Sequence, residues 1–394
     1  MANIACNMAG AGPMSPATIA AMAAAIELET ATDGYAAQMA RPPGDTRNAL
    51  GALLGVESDQ IALTDGGTDG MVRLLTSIRF EPGDLILLSP SEFATTVACA
   101  AQLRDRAGID VGVLAHDSSG FLDLDGCGDQ LERRSPRLVV ASAVPAHRGM
   151  RQPVEALTAL CRSVDVTAII DCCQSIGHVP SRWDDFNGAA IVGTGRKWLA
   201  GPRGTGFLIV PETWGHRAAL GVHPRLIGRE SDLEPLPGPA KGAWFERGEY
   251  PVAGYHGLGA AVAELLTNAS TEQPPLPSTT LTERLPWTLQ TASFEHAERF
   301  RQTLTEQGWT VLDDSTGGPT AIVGAVPPDG IDPAQLVVEL RDVGIACSSM
   351  TKADSPLDPG WSAHAAVLRL SPSGSLTEED IAFVERTLLS LADS

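Results

Sequence analysis

Residues 189–210 read AAIVGTGRKWLAGPRGTGFLIV, and this stretch decides the fold. Ala189-Ala190-Ile191-Val192 and Phe207-Leu208-Ile209-Val210 are short apolar runs bounded by glycine, so each predicts a buried strand. Their connection holds Lys197 between Arg196 and Trp198. Lys197, Lys241 and Lys352 are the only lysines among 28 Lys and Arg, so charge alone is a poor reason for a lysine here. An amine, unlike a guanidinium, loses its proton when desolvated or set beside another cation, and then attacks carbonyl carbon to form a Schiff base. Arg196 is placed to depress the lysine pKa in that way, or to hold a phosphate.

Two further strand ends belong with this one. Thr167-Ala168-Ile169-Ile170 runs straight into Asp171, with Gln174 three residues on. A carboxylate closing a buried strand is costly without a cationic or strong-donor partner. Asp171 either caps the turn that follows or pairs with a protonated pyridine nitrogen, with Gln174 donating to a phenolate oxygen on the same ring. Earlier, Ile61-Ala62-Leu63-Thr64 leads into Asp65-Gly66-Gly67-Thr68-Asp69-Gly70 and a helix over 71–78. Strand, glycine turn and helix aim backbone N–H groups and a helix dipole at an anion. No Gly-Lys-Ser/Thr follows, so this is not a Walker loop.

The pattern extends outward. Strands are predicted at 85–88, 111–114 and 138–141, with helices at 95–107 and 154–164. Such alternation predicts an α/β fold with a mostly parallel mixed sheet covered by helices, and ligands at the carboxyl ends of the strands. Residues 1–14 read as small-sided loop. Pro16–Tyr35 reads as one helix with Ile19, Met22, Ile26 and Leu28 on its apolar face, and Thr46–Leu54 as a second ending at Gly55. Beyond Val210, residues 228–250 and 268–285 read as Pro-rich excursions around a helix at 255–266. A smaller α+β unit follows, with helices at 294–307, 333–343 and 377–392 and strands at 309–312, 321–326 and 367–370. The organisation expected is a segment 1–15 at the active site, a large domain 16–285 and a small C-terminal domain 286–394.

With 43% hydrophobic and 19% charged residues, the 394-residue chain is composed like a folded globular protein. A net charge of −20 disfavours nucleic acid and anionic membrane as partners. No apolar run approaches the roughly 20 residues of a membrane span, and no signal-peptide pattern opens the chain. The seven scattered cysteines include no C-x-x-C pair and read as reduced thiols of a cytoplasmic protein.

Pyridine partner, phosphate turn and Schiff-base lysine are together what is needed to hold pyridoxal 5′-phosphate (PLP), whose ring is an electron sink. On these residues the chain resembles, over nearly its whole length, the fold-type I PLP enzymes, and among them the class V aminotransferase and cysteine desulfurase group. The resemblance implies Lys197 as the catalytic, Schiff-base lysine. It implies Thr194 and Arg196, with the turn at Gly67 and Thr68, as phosphate ligands, and Asp171 and Gln174 as partners of the ring. Phe93, in SPSEFATT, would stack on that ring. Arg369, in VLRLSPSG, would take the substrate carboxylate by a bidentate fork.

The chain also departs from that group. Cysteine desulfurases carry a catalytic cysteine after a Gly-Ile-x strand; the stretch here is GIACSSMTKADSPLD, where Cys347 comes too early and Ala353 stands near the nucleophile's place. An asparagine of the group is replaced within Val144–Gly149, where His147 or Arg148 could fill the space. The loop that reaches a partner's phosphate reads Gly248-Glu249-Tyr250-Pro251.

Asn7-Met8-Ala9-Gly10-Ala11-Gly12 and the full lysine stretch resemble a subgroup of carbon–sulfur lyases that form ergothioneine. This implies a homodimeric β-eliminating lyase with a small-molecule amino-acid sulfoxide as substrate, and Asn7 as a second substrate residue. An aminotransferase, an epimerase or a desulfurase-like enzyme on the same scaffold remains the alternative. Trp244, Phe245, Tyr35 and Tyr255 are candidate aromatic faces for a quaternary amine.

Overall fold

The computed structural model describes residues 4–40, 44–216, 242–247, 249–271, 287–312, 317–362 and 365–390. Its central sheet has the order β2 (Ile61–Thr64), β8 (Gly206–Ile209), β7 (Ala190–Thr194), β6 (Thr167–Asp171), β5 (Leu138–Ser142), β3 (Leu85–Leu88) and β4 (Asp110–Val113). Every neighbouring pair is parallel except those made by β8, which is antiparallel to both β7 and β2. The sheet is therefore mostly parallel and mixed, and its one reversed strand is the one that follows the Lys197 turn.

Alternation along the strands fills both faces. Leu87, Val139, Ile170 and Ile191 pack with α3 (Gly44–Leu54), α7 (Val154–Ser163) and α8 (Val252–Thr271). Ile86, Val140, Ile169 and Val192 pack with α4 (Gly67–Ser77) and α5 (Ala94–Ala107). Burying each such side chain contributes roughly 1.5–3 kcal/mol. A second sheet, of order β12 (Ser348–Thr351), β13 (Ala366–Leu370), β10 (Val323–Val326) and β9 (Thr310–Val311), is antiparallel throughout. It shares an apolar cluster with α9 (Trp287–Glu306), α10 (Pro333–Asp342) and α11 (Glu378–Ser390). Among the described residues no helix is long and apolar enough to cross a membrane.

Several elements differ from the sequence reading. The expected loop at 1–14 contains β1 (Ile4–Ala5), which pairs in parallel with β11 (Ile345–Ala346) as a separate two-stranded sheet. The single helix expected over 16–35 is two, α1 (Pro16–Glu29) and α2 (Gly34–Ala40), separated where Asp33 adopts φ 64°. Ile19 and Ile26 of α1 are each 53% exposed, so that apolar stripe does not face the core. Helix α6 (Leu124–Arg134) escaped notice because only Cys127 and Leu131 of its length are buried. The excursion expected at 228–250 is partly core: Phe245 is buried, and a Cβ on Gly242 would lie 2.2 Å from the Ile61 backbone. Residues 217–241 and 248 lie outside the described residues, as do 272–286, within which the expected boundary between the two larger domains falls. Helix α8 reaches Thr271, past the expected end at Leu266.

One glycine of the lysine stretch is explained by the sheet alone. Gly193 on β7 stands opposite Phe207 on β8, and a Cβ there would lie 2.3 Å from the phenyl ring. Gly193→Ala should therefore force the Phe207 ring aside and destabilise the protein by about 1–3 kcal/mol, measured by denaturant unfolding; an unchanged midpoint would show that the ring is free to move.

Candidate active site

The carboxyl ends of β6 and β7 meet the amino ends of α4 and α5 around one cavity. Gly67, Thr68, Phe93, Asp171, Gln174, Thr194, Arg196 and Lys197 all line it, as the sequence led us to expect. Gly66 caps α4 with φ 148°, a backbone state that favours glycine. Gly67 lies so close to Cys173 that a Cβ would sit 2.2 Å from its sulfur. The helix thus begins at Gly67, four residues earlier than predicted, and the glycine turn is its first turn. Thr68 on α4 and Thr95 on α5 join hydroxyls at 3.3 Å, bringing two helix N-termini to one place, an arrangement that favours an anion. Asp69 points elsewhere. It accepts from the Asp65 N–H at 3.0 Å and pairs with Arg73 and Arg247 at 2.7 and 2.8 Å, bracing the turn.

Thr194 closes β7, and the turn after it is locked from several sides. Gly195 N–H donates to Thr205 O at 2.9 Å, and Gly12 N–H donates to Arg196 O at 2.8 Å. A Cβ on Gly12 would lie 2.6 Å from the Lys197 carbonyl oxygen, so the Asn7–Gly12 motif and the lysine stretch are two halves of one packing. Arg196 also donates to Gly10 O. Trp198 donates to Gln174 Oε1 at 2.7 Å and stacks on His178 with ring centroids 3.7 Å apart. Burial holds the Lys197 amine below its ordinary pKa; Cys173 and Asp171 oppose this, while Arg196 and Arg369 add to it. Arg196 thus acts on Lys197 in the direction inferred from the sequence, behind burial as the main cause.

The remaining expectations meet the structure unevenly. Asp171 accepts from Cys173 N–H at 2.8 Å, so it closes the turn locally and still lines the cavity. Gln174 commits one N–H to Ala9 O at 3.0 Å. Arg369 does not line the cavity. It donates to Ser348 Oγ at 2.9 Å, to Ala146 O at 3.0 Å and to Asn7 Oδ1 at 3.3 Å, which does bring it beside Asn7. Among the described residues no carboxylate pairs with this buried guanidinium, and burial lowers its pKa to about 10. His147 and Arg148 turn away to Asp358, while Ala146 and Val144 line the cavity. Glu249 is exposed. Phe245 and Tyr255 lie in the core, and Tyr35 and Trp244 are not in the lining.

The donor set fits PLP. A glycine cradle at two helix N-termini with Thr68, Thr194 and Arg196 suits a phosphate. Asp171 suits a ring nitrogen, Phe93 a ring face, and a low-pKa amine an aldehyde. A larger cleft, of about 270 Å³, lies beyond Trp198 between Met8, His178 and Ser375, and holds none of these groups.

Sequence reasoning missed Cys173, Ser142 and, above all, Glu92. Fully buried, Glu92 accepts from Ser89 Oγ at 2.7 Å through one oxygen, and its Oε2 has no hydrogen-bond partner among the described residues. Burial, then the charge of Asp171, raises its pKa to about 8. Its place beside Phe93 in the sequence was the available signal. Since folding favours the protonated form, this stabilising contribution is full below the ordinary 4.5 and is lost as pH rises through about 8. Glu92→Gln should therefore gain on wild type by up to about 1.4 kcal/mol per pH unit across that window and run parallel above it, in unfolding measured against pH. Parallel curves throughout would mean that Glu92 titrates as an ordinary carboxylate.

Comparison with known proteins places these residues in context. The family model for aminotransferase class-V matches residues 20–382. A probable hercynylcysteine sulfoxide lyase of Mycobacterium tuberculosis is 28% identical over 353 residues, 88% of this chain and 79% of that one. A probable cysteine desulfurase of Methanothermobacter thermautotrophicus is 26% identical over 226 residues, 55% of this chain and 54% of that one. The apo structure of a cysteine desulfurase from Thermococcus onnurineus superposes with a TM-score of 0.84 at 17% identity, covering 98% of this chain and 94% of the other.

Proposed function

The chain belongs to the class-V aminotransferase family, and from that premise we propose that it is a carbon–sulfur lyase acting on hercynylcysteine sulfoxide. The products are pyruvate, ammonia and a sulfenate that yields ergothioneine on reduction. Its cofactor is pyridoxal 5′-phosphate.

The observation that carries the lyase reading is the state of the thiols. Among the described residues Cys173 is the one cysteine lining the cavity, and burial holds its pKa well above the ordinary 9. Cys347 is buried, with its thiol pushed up to about 12. Neither is a thiolate that could attack substrate sulfur. Sulfur must then depart unaided, and a sulfoxide departs more readily than a thioether. The sulfoxide lyase relative also matches far more of the chain than the desulfurase does.

When bound, PLP supplies an aldehyde that takes the substrate amine and a ring that draws electrons from Cα. Thr68, Thr194, Arg196 and the N-terminus of α4 hold its phosphate, while Asp171 keeps a proton on the ring nitrogen. Phe93 covers one ring face. Arg369, without a carboxylate partner among the described residues, fixes the substrate carboxylate with Asn7 beside it; Ser348 and Asn7 must yield part of its donor fork. Lys197, its pKa lowered by burial, removes the Cα proton. The Cβ–S bond then breaks with its electron pair on sulfur. The enzyme works as a homodimer in this reading, which the exposed Ile19 and Ile26 of α1 support.

Lys197→Ala should abolish the cofactor absorbance near ~420 nm expected of a lysine-bound PLP and reduce turnover by at least about 10³-fold; retention of either would remove Lys197 from its role. Pyruvate release from a cysteine-conjugate sulfoxide, beside the thioether and free cysteine, tests the substrate. Strong preference for the sulfoxide is the expected result. Amino transfer to a keto acid, without pyruvate release from any of the three, would leave the family and cofactor standing and replace the reaction.

A further inference from the structure

The connection between β12 and β13 leans on the cavity wall at consecutive points. Ala94 N–H donates to Asp354 O at 2.8 Å, and Ser355 Oγ donates to Glu92 O at 3.2 Å. Beyond them comes Asp358, whose side chain is wholly buried. Its Oδ2 accepts from Ser91 Oγ at 2.7 Å, from His147 Nε2 at 2.9 Å and from Arg148 Nε at 3.0 Å. Its Oδ1 accepts from Gly360 N–H at 2.8 Å and from the Arg148 guanidinium. Arg148 in turn reaches Ser119 O at 2.6 Å, and Trp361 stacks on His147 with ring centroids 5.2 Å apart.

Three segments distant in sequence therefore converge on one carboxylate. They are the β3–α5 loop through Ser91, the residues after β5 through His147 and Arg148, and the connection itself. A buried ion pair returns little net stability, because desolvating both charges offsets their attraction. What it supplies here is direction. Ser91 and Phe93 line the cavity, and Phe93 caps α5 without a side-chain hydrogen bond of its own. The loop between them takes its position from Asp358, Asp354 and Ser355.

We propose that Asp358 is a positioning residue: from the second sheet it fixes the Ser91–Phe93 wall, and so the orientation in which the cofactor ring is held against Phe93. The proposal rests on the assignment of this cavity to the cofactor, which the Lys197→Ala spectrum tests separately.

The test compares holoenzymes of wild type, Asp358→Asn and the double variant Asp358→Asn/Arg148→Met. Asp358→Asn leaves Arg148 buried without its partner and should lower the unfolding temperature; the double variant removes that stranded charge and should recover most of the loss. Visible circular dichroism per bound cofactor reports ring orientation. It should fall by about half or more in both variants, with kcat reduced on the order of tenfold while bound cofactor remains saturating. Phe93→Leu should reproduce that dichroism without the loss of stability. A double variant with wild-type dichroism and kcat would overturn the proposal, leaving Asp358 as a structural ion pair only. Should the single variant fail to fold, the double variant decides alone.

Discussion

Holding the Lys197 amine at the cavity in surroundings that lower its pKa is the constraint on which the other contacts depend. A buried ammonium is costly, and the protein meets that cost by lowering the pKa rather than by supplying a tight carboxylate partner. Holding a flexible side chain there requires a rigid turn. Gly12 presses on the lysine carbonyl, Gly195 bonds Thr205, and the Trp198 indole is fixed by Gln174 and the His178 ring. His178 can serve in that stack because burial, outweighing its bond to Gln174 O, pushes its pKa down to about 3 and keeps it neutral. The antiparallel return of β8 follows from the same turn. It reverses the chain after the lysine and lets Phe207 fill the space above Gly193.

Charge around the cavity is unbalanced in a way that defines its ligands. Arg196 and Arg369 both bear on Lys197, while Asp171 is the nearby carboxylate that acts on it in the opposite sense. Burial and the neighbouring Asp171 push Glu92 toward its neutral form, with its pKa raised to about 8. At the cavity itself Arg196, Lys197 and two helix N-termini stand with the single carboxylate of Asp171 in the lining. In the proposed reading a phosphate at α4 and α5 and a substrate carboxylate at β13 would restore the balance. A small neutral molecule would leave those cations uncompensated.

Much of this was legible in the sequence for a physical reason. Parallel strands buried on both faces are short apolar runs, and functional groups sit where those runs stop. Asp171, Thr194 and the Gly66–Thr68 turn are all strand-end features, so the pattern that finds the sheet also finds them. Other parts follow no such rule. β1 has two residues and draws its partner from Ile345–Ala346, far along the chain. α6 buries too few residues to show a period. The stripe on α1 has helical spacing but no core beneath it. Glu92 and Asp358 look like surface acids in the sequence, since burial of a charge depends on partners brought from other segments. The fork expected of Arg369 could be named, while its engagement with Ser348, Ala146 and Asn7 could not.

The thiols complete the argument about chemistry. A buried thiol in apolar surroundings keeps its proton, and Cys6, Cys127, Cys161, Cys172 and Cys347 all have their pKa raised by burial. Cys173 is nearest the reacting groups, yet Asp171 reinforces the effect of burial there, and Lys197 only partly opposes it. Where a relay cysteine would stand on the β12–β13 connection, Ala353 offers no sulfur, and the residues just after it are tied to the β3–α5 loop through Asp354, Ser355 and Asp358. With PLP bound, such a site would have a base and an electron sink, and among the described residues no thiol with a lowered pKa to attack sulfur. Under the proposed function the substrate must bring its own leaving ability, and selection would fall on the oxidation state of the sulfur as well as on the shape of the amino acid that carries it.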